Sequence, residues 1–250
     1  MYSESSFLFL AILAMLAIER RWPMLVTAMI VGLATVTRPV GVALVPVFCM
    51  NLWRQSASRR VFAFRSVLLV PVAMSGLIAY MLYQYAEFGQ PLAFAKTQEH
   101  WTIRKTASFE EKALAILSHE PLWSVYDPSS EAYWLRNQPE PCAWDNLALA
   151  NPPYFLFAVA LVILGAWKRW LNANEAVLAA LLILIPYLTR SFEMGMLSQG
   201  RFVAAAFPIY LVLGRLLGRI PGPYAALLLC ISALVMATYA AEFAAGYFLI

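Results

Sequence analysis

Three arginines stand at the ends of apolar blocks, where an arginine is costly unless it has a task. Arg38 lies in Thr37-Arg38-Pro39, Arg190 closes one apolar block, and Arg201 follows Ser198-Gln199-Gly200 at the start of the next. A guanidinium offers a planar fork of donors that matches the oxygens of a phosphate or carboxylate. At the edge of an apolar segment it must snorkel to water, pair, or bind an anion. Pro39 biases Arg38 towards extended backbone and opens the next helix, whose first N–H groups add to an anion site. Three such arginines converging would hold one anionic headgroup; the plainer alternative is that each snorkels alone. Glu4, in Ser3-Glu4-Ser5, sits at a helix start, where the helix dipole favours a carboxylate. It is the weak candidate for a catalytic carboxylate and otherwise a capping residue. Lys96, Gln98 and Trp101 follow Gly89-Gln90-Pro91 and suit either substrate contacts or ordinary loop surface.

No phosphate-loop, nucleophile-elbow or HExxH pattern is present. Cys49, Cys142 and Cys230 form no close pair, and His100 and His119 have no Cys or His at ligand spacing, so neither a disulfide framework nor a metal site is expected. No cofactor is expected.

These residues are positioned by apolar helices. The chain has 250 residues, 62% hydrophobic and 13% charged. Soluble domains carry roughly 25% charged residues, so this chain is expected to fold in lipid. The basic residues behind the net charge of +4 fall between apolar blocks, as juxtamembrane charges do, which argues against nucleic acid. Eight apolar segments stand out: Ser6–Ile18, Pro23–Val36, Val40–Trp53, Val67–Tyr85, Tyr154–Trp167, Ala176–Leu188, Phe202–Leu217 and Tyr224–Ile250. Being Leu/Ala-rich without alternation of period two, they read as helices, and the fold class is all-α: a polytopic bundle of about eight transmembrane segments. Several are shorter than the ~20 residues of a straight span.

Lys and Arg set the orientation. Four short connections carry Arg20 and Arg21; Arg54, Arg59, Arg60 and Arg65; Lys168 and Arg169; and Arg215 and Arg219. Eight alternating segments place all four on one face, expected to be cytoplasmic. Arg38, the stretch Arg190–Arg201 and the large loop Gly89–Asn151, with eight acids against five bases, fall on the other. The protein is thus one multi-pass domain, expected in a bacterial inner membrane with the loop non-cytoplasmic. Within the loop, Ser108-Phe109-Glu110-Glu111 has the form of a capping box. Phe109, Ala113, Ile116 and Leu117 then share a helical face, predicting a short amphipathic helix on the membrane surface. Trp101, Trp123, Trp134, Trp144, Tyr126 and Tyr133 supply rings that stack on a sugar or form an interfacial belt.

Taken in order, these pieces resemble the later part of the PIG-V-like mannosyltransferases, polytopic glycosyltransferases of the GT-C class. The matching pieces are Tyr2-Ser3-Glu4-Ser5, the stretch Leu33 to Gly41 with Thr37-Arg38-Pro39-Val40-Gly41, Phe88 to Phe94 with Gln98 and Trp101, and Ser198 to Pro208. Gln90 stands where an Asp is common in that family. The resemblance implies hexose transfer, of mannose type, from a polyprenyl-phosphate donor to an acceptor it does not name, on the non-cytoplasmic face. It gives Arg38 and Arg201 the lipid phosphate, and a carboxylate in the first external loop the role of general base. That loop has no counterpart in this chain; the family's N-terminal spans would precede Met1. The expectation is therefore a chain that alone transfers no sugar and is completed by an upstream or separately encoded N-terminal half. A non-catalytic membrane scaffold subunit is the alternative, and a lipid or solute transporter a weaker one, since no internal repeat or mid-span charge is visible.

Overall fold

The computed structural model describes residues 3–97, 102, 104, 108–130, 132–133, 147–196 and 198–244. Among them the secondary structure is helical, without strands. The helices are α1 Glu4–Glu19, α2 Met24–Thr37, α3 Leu44–Arg54, α4 Arg59–Phe88, α5 Ala93–Thr97, α6 Phe109–Leu117, α7 Glu120–Trp123, α8 Leu147–Trp167, α9 Ala173–Met194, α10 Gln199–Ala204, α11 Pro208–Leu217 and α12 Gly222–Ala244. Tight 3-10 turns, Pro39–Ala43 and Ser124–Tyr126, lead into α3 and follow α7.

Four helices, α4, α8, α9 and α12, are long and apolar enough to cross a membrane, which marks a membrane protein. Eight were expected. The other apolar segments are helical but short: α1 has 16 residues, α2 has 14, α3 has 11 and α11 has 10. Proline accounts for two of the shortfalls. Pro39 cannot donate a backbone N–H, so the chain leaves α2 at an extended Arg38 (φ −153°, ψ 139°) and restarts as a 3-10 turn. Pro208 likewise starts α11 afresh and divides the segment Phe202–Leu217 after Ala204.

The bundle's exterior remains apolar. Val67 is 73% exposed, Leu234 72% and Met236 69%, and water-facing helices would not carry such a surface. Inside, α2 and α4 cross at backbone contact. A Cβ on Gly76 would lie 2.1 Å from the Gly32 carbonyl oxygen, and one on Gly32 would lie 2.6 Å from that of Val72. Thr35 locks the crossing: its Oγ1 accepts from Leu77 N (3.1 Å) and donates to Gly32 O (2.7 Å). Small residues permit such approaches where lipid leaves packing as the main attraction between helices.

The basic connections gather at one end. There Asn172 Nδ2 donates to Glu19 Oε1 (2.7 Å), Arg54 to Asn174 Oδ1 (3.1 Å) and Arg65 to the Gln55 carbonyl (3.2 Å), while the Arg219 guanidinium lies 4.2 Å from the centre of the Trp170 ring. The described part of the large loop lies at the other end. Helix α6 forms where its capping box predicts it: Ser108 Oγ accepts from Glu111 N and Glu111 Oε2 from Ser108 N. Ile116 packs on the core, Phe109 (86%) and Leu117 (74%) are exposed, and Lys112 pairs with Glu193 of α9. Pro121 stands in the first turn of α7, where a missing N–H costs nothing.

Candidate functional site

At the loop end, three helices bring Glu4, Arg38 and Arg201 together. Glu4 opens α1 and has no capping partner in Ser3. Its Oε1 accepts from Arg201 Nε at 2.6 Å and lies 3.1 Å from Arg38 Nη1. Two donor nitrogens that close to one oxygen cannot be further apart than the sum of those distances, so the convergence expected of Arg38 and Arg201 is present. The Arg38 side chain is 13% exposed, against 46% for Arg201 and 28% for Glu4. Arg38 Nη1 is buried and makes no hydrogen bond among the described residues; it faces Glu4 as a charge rather than as an aligned donor. The Phe202 ring centre lies 6.0 Å from the Arg38 guanidinium carbon, within the range of a cation–π contact.

Local sequence explains why these residues meet. A Cβ on Gly41 would lie 2.6 Å from the Ala34 carbonyl, so only glycine lets the Pro39–Ala43 turn fold back on α2 and hold Arg38 at the bundle end. Gly200 N donates to Asn151 Oδ1 (2.8 Å), seating α10 against α8. The turn before α10 holds Gly195, Met196 and Ser198 at positive φ. Two of these are not glycine, a conformation kept only where the surroundings impose it. Here buried Met196 and the Gly200–Asn151 bond do so.

Burial pushes the Glu4 carboxyl pKa up. The hydrogen bond from Arg201, the helix-start backbone and the charges of Arg38 and Arg201 outweigh it and hold the group below the ordinary glutamate value. Such a carboxylate is a strong ion-pair partner and a poor base. Asp127, another loop acid, accepts from Ser129 N (2.9 Å) and Ser129 Oγ (2.8 Å), and both bonds lower its pKa. Glu99 lies outside the described residues, as do Gln98 and Trp101. Lys96 is exposed on α5. Arg190, half-buried in α9 near Glu193, makes no ion pair with Glu4.

A cleft of about 370 Å³ opens beside Arg201. Asn151, Tyr154, Phe157, Ala158 and Leu161 of α8 line one wall, and Val203, Ile209 and Leu213 face them. On α8 these positions follow a single helical face for ~15 Å, from the level of Arg201 toward the middle of the bundle. The cleft therefore has a charged mouth and an apolar body.

Sequence reasoning passed over Arg104. Its guanidinium, 6% exposed, forms a two-pronged pair with Glu120 (2.8 Å each) and donates to Ser124 Oγ at 2.8 Å. It stacks over Phe192 at 4.7 Å, and Arg104 N donates to the Glu193 carbonyl (3.2 Å). This clamp fastens the loop to α9. The Tyr126 hydroxyl, donating to the Leu149 carbonyl, fastens it to α8. Among the described residues no group of three His, Cys, Asp or Glu is placed to hold a metal.

No family model, curated protein or solved structure matches the chain. The functional reading therefore rests on the geometry and on the motifs that carry the resemblance.

Proposed function

We propose that the Arg38–Arg201 pair binds the phosphate of a polyprenyl-phosphate sugar, and that the protein serves hexose transfer from that lipid on the non-cytoplasmic face. The observation that carries this reading is the meeting of two arginines on one oxygen of Glu4, with one of them, Arg201, also lining an apolar cleft. Paired guanidiniums suit phosphate oxygens, and the cleft gives a hydrocarbon chain a place to lie that a soluble phosphate would not need. In this reading the eight apolar segments alternate across a bacterial inner membrane. Short helices such as α2, α3 and α11 are extended by their polar caps and by packing against α4, α8 and α9. The basic connections face the cytoplasm, and the clamped loop lies over the site outside.

Transfer would break the bond between the sugar's anomeric carbon and the phosphate oxygen. The acceptor hydroxyl would form the new bond and lose its proton to a base, and the lipid phosphate would leave with the electron pair. Arg38 and Arg201 would stabilise the charge growing on that phosphate. Glu4, held as an ion-pair partner, does not suit the base. That point favours a second reading, a non-catalytic subunit that binds the lipid for a separately encoded catalytic half.

Retention of radiolabelled polyprenyl-phosphate mannose on the purified protein in nanodiscs tests the shared part. Wild-type protein should retain the lipid and Arg38→Gln/Arg201→Gln should not; equal retention by both would remove the site. Hexose transfer to a membrane acceptor extract then separates enzyme from subunit.

A further inference from the structure

Two arginines and one carboxylate carry a net charge of +1, not +2, and the carboxylate is borne by a backbone that is held in place. Glu4 is the first residue of α1, and that helix is pinned by fully buried Phe7, Ala11 and Ala14 and by the bond from Phe7 N to Ser3 O (2.9 Å). A ligand approaching the arginine pair meets a fixed negative charge within hydrogen-bond distance of Arg201. An ion pair by itself would explain Glu4 as structure. Two features point to a ligand as well: Arg38 Nη1 is buried and, although 3.1 Å from Glu4 Oε1, is not aligned with it as a hydrogen-bond donor, and the cleft opens directly at Arg201.

Resting on the proposal that the pair binds a lipid phosphate, we infer that Glu4 is a specificity-determining residue. It sets the site's charge to favour a monoanionic phosphodiester over a dianionic phosphomonoester, compared with what the bare arginine pair would do. The physical reason is electrostatic. A phosphodiester carries one negative charge, and a phosphomonoester carries ≈ −1.5 to −2 near neutral pH. Both are drawn to the arginines, but the second charge adds repulsion from Glu4. The donor lipid is a diester and the spent lipid a monoester. Glu4 therefore weakens the hold on the product more than the hold on the donor and helps clear the site after transfer.

The test uses farnesyl phosphate as the monoester and farnesyl methyl phosphate as the diester, bound to purified full-length protein in neutral detergent at pH 8. The quantity read is the ratio of the two dissociation constants. Glu4→Gln should shift that ratio towards the monoester by at least about tenfold, a floor that allows for solvent screening of side chains 28% and 46% exposed. Glu4→Asp, which keeps the charge, should hold the wild-type ratio, and thermal melts of both variants check the fold. An unchanged ratio in Glu4→Gln, with both lipids still bound, overturns the role of Glu4 and leaves the phosphate site standing. Equal shifts in Glu4→Gln and Glu4→Asp assign the effect to shape and also overturn it. Failure of wild-type protein to bind either lipid removes the phosphate site and this inference together.

Discussion

Removing one partner of the Arg104 clamp should loosen the loop far more than a surface ion pair would. The perturbation is Glu120→Gln, which keeps the shape of the side chain and discards its charge. In the structure Arg104 is 6% exposed on its side chain, has two 2.8 Å contacts to Glu120 and one of 2.8 Å to Ser124, and has Nε buried without a hydrogen bond. With the carboxylate replaced by an amide, a buried guanidinium loses its counter-charge and one of its two prongs, keeping only neutral acceptors, the amide carbonyl and Ser124 Oγ, and the Phe192 ring. Breaking a buried pair costs roughly 3–5 kcal/mol, whereas exposed pairs are worth about 0–1. At about 1.4 kcal/mol per factor of ten, local opening of the loop should rise by ~10²–10³-fold. Amide hydrogen exchange over α6 and α7 reads that opening directly, with α2 and α4 as internal controls. The double change Arg104→Met/Glu120→Leu should recover most of the protection, since an apolar pair of similar size avoids the buried charge. An increase of less than tenfold in Glu120→Gln, or no recovery in the double variant, would refute the clamp.

Other perturbations have equally definite outcomes. Gly76→Ala places a methyl 2.1 Å from the Gly32 carbonyl; the α2–α4 crossing should lose about 1–3 kcal/mol, read as a lower melting temperature in detergent. The Glu4 carboxyl pKa lies below the ordinary value of a glutamate, ~4.3, so the stability its ion pairs supply is present above that value and is lost as pH falls through the lowered one. Wild-type melts should show this acid loss, and Glu4→Gln should remove it. A cysteine at Ser129, exposed in the loop, should react with a membrane-impermeant maleimide in intact cells; labelling only after permeabilisation would invert the assigned topology.

Much of the architecture is legible in the sequence because membrane helices declare themselves through composition. Within the described residues the eight apolar blocks are largely helical, and the capping box at Ser108 starts α6 where its spacing indicates. Lengths were harder to read. A block of apolar residues continues through Pro39 or Pro208 in hydropathy but not in hydrogen bonding, so spans that look whole are broken or shortened. The meeting of Arg38 and Arg201 follows from placing both at one end. Arg190 lies at the same end but makes no ion pair with Glu4. The Glu4 bridge to Arg201 joins residues 197 apart, and Arg104 finds its carboxylate 16 residues away, beyond α6. Neither separation matches a helical period, so no local pattern announces those pairs. Glycines could have helped: Gly41 stands beside Arg38 at a backbone contact too close for another residue, and Gly200 stands beside Arg201 in a tight contact with Asn151.

The central claim is that Arg38 and Arg201 hold a lipid phosphate at the loop end of the bundle. An experimental structure of the protein in nanodiscs with a short-chain polyprenyl-phosphate sugar tests it most directly. The account predicts phosphate oxygens within hydrogen-bond reach of both guanidiniums, ~2.7–3.2 Å, Glu4 still beside them, and the hydrocarbon chain along the α8 face from Tyr154 to Leu161. A lipid phosphate seated instead at the opposite end, among Arg54, Arg65, Arg169 and Arg219, would contradict it.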